Sequence, residues 1–300
     1  MSATNGTFVA RRAYGLACID GRAQLAVTLD GETRVVDGAP PDSVAAAMED
    51  LAPRRLGRAV AQHELVAPVA PSKVIGVGLN YRRHAAEASL ALPELPQLFA
   101  KFPSAIAPPE SEVELATPET DYEVELGIVI GRQCRDVEIS KALNVVAGYV
   151  AVNDISARDR QFADGQYVLS KSYDGYAPCG PAIVPVSELD DAHNLRLRTL
   201  LNDKPVQDSS TADMVFGVRE IVAYCSIAVT LLPGDLILTG TPEGVGFTRN
   251  PPRHLREGDV VKVAVEGVGT CLTRCSGRRL QGTRERIESS RRIEREPVRA

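Results

Sequence analysis

From Lys73 onward the chain breaks into short runs of β-branched and aliphatic residues separated by proline and glycine, and this rhythm restricts the fold more than any other feature. VIGVGL, YEVELGIVIG, VVAGYVAVND, AIVPV, RLRTLLND, GDLILTG and VVKVAVEGVGTCLT are each of strand length and bounded by turn formers. A β-rich α+β core follows, with helices in the minority. VREIVAYCSIAVTL has apolar residues at helical spacing and supplies one of those helices. No internal repeat of the kind that builds solenoids or propellers is present.

The first 70 residues read as a small N-terminal α/β domain. YGLACID, QLAVTL and TRVVD are strand-like, and the turn pairs Asp20-Gly21 and Asp30-Gly31 join them as hairpins. A helix is expected after Pro40-Pro41, capped by Asp42 or Ser43 and running through VAAAMEDLA. Two prolines in Leu65 to Pro71 mark a linker, so the main domain is expected over 71–277. Residues 278–300 form a tail rich in arginine and glutamate, poor in apolar residues and expected to be disordered. Its glutamates dilute the positive field that a nucleic-acid arm would need.

Three hundred residues with 44% apolar content can bury one large core. A net charge of -5 offers nothing to nucleic acid, which leaves small molecules as the expected partners. MSATNGTFVARRAYG lacks the apolar centre of a signal peptide, and no later run is long enough to span a membrane. The chain therefore reads as cytoplasmic, with no membrane contact. Six scattered cysteines, with no C-x-x-C pair, read as reduced structural thiols.

The chemistry concentrates in YEVELGIVI. A strand's period of two places Val124, Leu126, Ile128 and Ile130 on one face and Glu123 and Glu125 on the other. Like charges on neighbouring same-face positions repel, so the strand is open to solvent there or a cation compensates. Asp154 ends a second strand-like run, GYVAVND, and would complete a three-carboxylate site. Such oxygen ligands suit Mg²⁺ or Mn²⁺, with Ca²⁺ also possible, and leave positions for water and a chelating substrate. Spacing alone also describes a solvated strand face with Asp154 capping a turn.

His84 and Glu87 stand at i and i+3, where one helical turn brings imidazole and carboxylate together. A carboxylate on one ring nitrogen raises the basicity of the other, which can then take a proton from water. The same spacing also describes an exposed ion pair. Gly76-Val77-Gly78 follows a strand, but Tyr81 stands where a dinucleotide fingerprint needs its third glycine. Thr239 to Gly246 lacks the lysine of a phosphate loop and reads as a tight turn near a ligand.

Six stretches in order, VIGVGLNYRRHAAE, LFAKFPSA, DYEVELGIVIG, VNDISARDRQ, LSKSYDGYAPCGP and LILTGTPEGVG, resemble the fumarylacetoacetate hydrolase family over about Pro71 to Thr273. The resemblance implies a mixed β-sandwich or roll as catalytic domain and a homodimer. It implies Glu123, Glu125 and Asp154 as metal ligands, His84 and Glu87 as the water-activating dyad, and Lys171 as an active-site lysine. Arg158, Gln161 and Thr241 would face the substrate. The implied activity is hydrolysis of a carbon-carbon bond in a small acylpyruvate or 1,3-diketo acid through a metal-stabilised enolate. An isomerase of hydroxymuconate type or a decarboxylase of oxaloacetate would use the same groups, and a non-catalytic binder of metal and dicarboxylate is the reading from outside enzymology.

Overall fold

The computed structural model describes residues 12–36, 44, 56–189 and 192–277. The expected helix after Pro41, apart from Val44, and the tail from Arg278 lie outside the described residues.

Among the described residues two mixed sheets make the fold, one of twelve strands and one of five, beside a two-stranded ribbon. The strand Val124–Ile130 sits near the middle of the larger sheet, antiparallel to Val146–Asn153 on one side and to Leu236–Leu238 on the other. Leu236–Leu238 in turn runs parallel to Val74–Gly78, and Gln97–Lys101 forms the edge beyond it. The smaller sheet packs on the larger. Val124, Leu126, Ile128 and Ile130 share a buried cluster with Leu197, Val261, Val263 and Val265 of the smaller sheet. The alternating face read from sequence is thus the inner face of a β-sandwich. Neither sheet closes into a barrel among the described residues.

The helix Val218–Ala228 forms where helical spacing required it, burying Ile221, Val222 and Cys225 in that same cluster. Asp20-Gly21 and Asp30-Gly31 all take positive φ and close two-residue hairpins, with Ile19 opposite Arg22 and Leu29 opposite Glu32.

The N-terminal strands continue the larger sheet. Arg12–Ile19 pairs with Ala177–Pro185, aligning Tyr14 with Ile183, and also receives Leu65–Val66. Tyr14, Leu25 and Val27 pack with Val129, Val150 and Val152 in a second buried cluster. A few short strands have too little surface to cover their own apolar face, and the larger sheet covers it for them.

Candidate active site

The carboxylates are positioned by strand register. Val124 pairs with Asn153, so the residues just outside that pair, Glu123 and Asp154, meet at the strand ends, where Asp154 N–H donates to the Glu123 carbonyl at 2.8 Å. Glu125 is one pleat further along on the Glu123 face. All three are buried, and one oxygen from each lies within 4.8 Å of the others.

Cations close around them. Lys171, at the end of the short helix Tyr167–Lys171, donates to Glu123 Oε2 at 2.7 Å, Asp154 Oδ2 at 2.7 Å and Ser156 Oγ at 2.9 Å. Arg158 opens the helix Arg158–Asp164 and reaches Glu123 Oε1 at 2.6 Å, Asp121 Oδ2 at 3.0 Å and Gln161 Oε1 at 2.8 Å. On the far side of Asp154, Lys101 donates to Oδ1 and to the Tyr176 carbonyl. Burial opposes ionisation of Glu123, but Lys171 and Arg158 outweigh it and hold the carboxyl near about 2. Glu125 behaves oppositely. Its Oε2 accepts from Gly240 N–H at 2.7 Å, and burial together with the charges of Asp154 and Glu123 pushes its carboxyl well above the usual range.

That contrast tests whether a metal suits the site. Four buried carboxylates, Asp121, Glu123, Glu125 and Asp154, face three buried cations, Lys101, Arg158 and Lys171. Glu125 is the acid left to a backbone donor, so the cluster has one carboxylate more than it has cations, and that acid's oxygen is one of the three that converge. A hard divalent ion fits both the donor set and the charge deficit.

His84 and Glu87 lie on one helix, Arg82–Glu87, with Nδ1 and Oε1 2.8 Å apart. Glu87 Oε2 accepts from Gly244 N–H at 2.9 Å, which fixes the carboxylate and leaves His84 Nε2 for the cavity. Asn80, fully buried, holds the turn before this helix by donating to the Thr239 carbonyl at 2.8 Å and accepting from Phe216 N–H at 2.9 Å. His84, Glu123, Glu125, Arg158, Gln161, Lys171 and Thr241 line one cavity of about 270 Å³. That volume suits a small metabolite. A larger groove of about 870 Å³ behind the His84 helix contains none of these residues.

Thr241 lines the cavity. Its hydroxyl donates to the Val124 carbonyl at 3.0 Å and accepts from Gln207 Nε2 at 3.0 Å, so its proton is committed to the scaffold. Sequence reading assigned no role to Lys101 or Asp121. Asp121 accepts from Gly246 N–H at 2.8 Å and Phe247 N–H at 3.1 Å as well as from Arg158. A lysine set among Phe99, Ala100 and Phe102 was the one available signal for Lys101.

Residues 73–276 match the family described as fumarylacetoacetate (FAA) hydrolase C-terminal. This chain belongs to the fumarylacetoacetate hydrolase family. A fumarylacetoacetate hydrolase domain-containing protein 2 homolog from Dictyostelium discoideum is 44% identical over 70% of this chain and 73% of its own length. The mitochondrial oxaloacetate tautomerase Fahd2a of Rattus norvegicus is 41% identical over 71% and 69%. Among solved structures, fumarylacetoacetate hydrolase from Exiguobacterium antarcticum superposes with a TM-score of 0.78 at 35% identity, covering 89% of this chain and 100% of that one. The 5-carboxymethyl-2-hydroxymuconate delta-isomerase of Mycobacterium smegmatis does so with 0.74 at 34%, over 89% and 100%. Hydrolases, isomerases and tautomerases of this family therefore share the fold. No helix among the described residues is long and apolar enough to cross a membrane.

Proposed function

We propose that this chain is a metal-dependent hydrolase that cleaves a carbon-carbon bond in a small acylpyruvate or 1,3-diketo acid. The observation that carries this reading is that Glu123 and Glu125 of the carboxylate trio line one cavity together with His84, whose Nδ1 lies 2.8 Å from Glu87 Oε1. Glu123, Glu125 and Asp154 would hold Mg²⁺ or Mn²⁺, with Ca²⁺ as a further candidate, and the ion would supply Lewis acidity to a 2-oxo acid.

The chain's own groups do the rest. Glu87 orients the imidazole, and His84 takes a proton from water as the water oxygen adds to the distal carbonyl. The carbon-carbon bond breaks, its electron pair leaves with the pyruvate portion, and that carbon takes a proton at C3. In sum, R-CO-CH2-CO-COO⁻ and water give R-COO⁻, pyruvate and a proton. Lys171 and Arg158 place positive charge where negative charge develops. Thr241 and Gln161 shape the wall beside it.

A second reading is tautomerisation of oxaloacetate, favoured by the rat relative at 41% identity. There the dyad carries a proton between C3 and the 2-oxo oxygen and no water is consumed. Incubation of acetylpyruvate with Mg²⁺, followed by product analysis, separates the two. The hydrolase reading requires pyruvate and acetate in equal amounts. Rapid keto-enol interconversion of oxaloacetate with acetylpyruvate left intact would replace it by the tautomerase.

A further inference from the structure

Asp121 is closed off from solvent and does not itself line the cavity. The ribbon of Thr120–Asp121 and Ser156–Ala157 sets Asp121 opposite Ser156, which brings its carboxylate to Arg158 two residues further on. That carboxylate is saturated. Oδ1 accepts from Tyr122 N–H at 2.9 Å and Gly246 N–H at 2.8 Å, and Oδ2 accepts from Phe247 N–H at 3.1 Å and Arg158 Nε at 3.0 Å. Four donors occupy a group with about four lone-pair sites, so Asp121 acts through its neighbours.

Those donors come from two parts of the site. Gly246 and Phe247 belong to the loop whose Gly244 N–H holds Glu87. The Phe247 ring lies edge-on to His84 at 6.4 Å and against the Arg158 guanidinium at 4.5 Å. A Cβ on Gly246 would collide with the Asp121 carboxylate and the Arg253 carbonyl, so the loop comes as close to Asp121 as backbone can. Arg158 is fixed by Asp121 at Nε, by Gln161 at Nη1 and by the Phe247 face. Its Nη2 is different. It is paired by charge with Glu123 Oε1 at 2.6 Å but makes no aligned hydrogen bond, a buried donor nitrogen on a residue that lines the cavity. Buried donors are seldom left so, and a ligand oxygen would satisfy this one.

We propose that Asp121 is a positioning residue: it aims Arg158 Nη2 at an oxygen of the bound 2-oxo acid and ties that arginine to the loop that steadies the His84–Glu87 pair. It rests on the proposed function only in taking a 2-oxo acid as the ligand.

Oxalate, a planar dianion shaped like the enolate of pyruvate, is the probe. Its affinity is measured by calorimetry at saturating Mg²⁺ for the native chain, Asp121→Asn, Arg158→Gln and the double variant. Asparagine keeps the shape but replaces one acceptor oxygen by a donor, and Asp121→Asn is expected to weaken oxalate by about tenfold. In the Arg158→Gln background the same change is expected to cost nothing further, because the arginine it aims is gone. A merely structural aspartate would weaken binding by the same factor in both backgrounds, and that result overturns the proposal. Native affinity in Asp121→Asn, or no oxalate binding by the native chain, overturns it too. Arg158→Lys keeps the charge without the fork, and its outcome does not depend on Asp121→Asn folding. It is expected to bind oxalate as weakly as Arg158→Gln, and native affinity there also overturns the proposal. Acetylpyruvate cleavage is followed on the same preparations. A non-additive loss of oxalate binding without any cleavage supports the role of Asp121 and sinks the hydrolase reading instead. Cleavage together with additive losses does the reverse.

Discussion

The ammonium of Lys171 and the carboxylate of Asp154 meet at 2.7 Å with both groups closed off from solvent. In the metal-free protein this lysine supplies part of the positive charge that the acid cluster requires. Lys171→Met leaves Glu123 and Asp154 facing each other with less compensation, at a cost of about 3 to 5 kcal/mol. Thermal unfolding with and without Mg²⁺ checks it. The melting temperature of the variant should fall without metal and recover more on adding Mg²⁺ than that of the native protein. Equal metal-induced shifts in both would contradict this picture.

The His84–Glu87 pair should separate water-using from water-free chemistry. His84→Ala is expected to lower acylpyruvate hydrolysis by about 10²- to 10⁴-fold. Decarboxylation of oxaloacetate, which needs no activated water, should persist in part. Assaying both reactions on one preparation decides the matter, because a parallel loss of the two would give the dyad another task.

Gly244 links that pair to the loop above it. Its φ is +96° and a Cβ would collide with the Val206 carbonyl, while its N–H holds Glu87. Gly244→Ala should destabilise the fold by about 1 to 3 kcal/mol and depress kcat as well, through a displaced Glu87. Urea unfolding and steady-state kinetics measure the two effects, and a variant with native kcat would show that Glu87 does not depend on this donor.

The face bearing Glu123 and Glu125 was legible because strand period is local information. So was the turn joining His84 to Glu87. Lys101 and Asp121 were not, because their partners lie far along the chain. Lys101 meets Asp154 across 53 positions and Asp121 meets Gly246 across 125. Sheet order brings them together, and no local pattern encodes sheet order. The union of the N-terminal hairpins with the main sheet was hidden for the same reason, since pairing of Tyr14 with Ile183 leaves no mark near either residue. Thr241 illustrates a third limit. Its position in the loop was readable, but the direction of its hydroxyl toward Val124 depends on where the neighbouring strand ends.

Stability should decline on the alkaline side. Burial pushes the thiols of Cys225 and Cys275 from an ordinary 9.0 up to about 12. Folded-state values above the unfolded ones give a contribution fully present below pH 9 and lost as pH rises toward 12. Each thiol should withdraw roughly 1.4 kcal/mol per pH unit inside that window. Urea midpoints between pH 7 and 10.5 test the slope, and a flat profile through pH 10.5 would show that these thiols ionise as freely in the folded chain as in the unfolded one.

Glu123, Glu125 and Asp154 are expected to hold one divalent ion on which turnover depends. The most direct measurement titrates Mn²⁺ into chelator-stripped protein by calorimetry while acetylpyruvate cleavage is followed at each point, for the native chain and for Glu125→Gln. Turnover should rise in step with occupancy of one site per chain, and Glu125→Gln should bind at least tenfold more weakly. Full turnover in the presence of excess chelator, or a Glu125→Gln variant with native affinity, would contradict it.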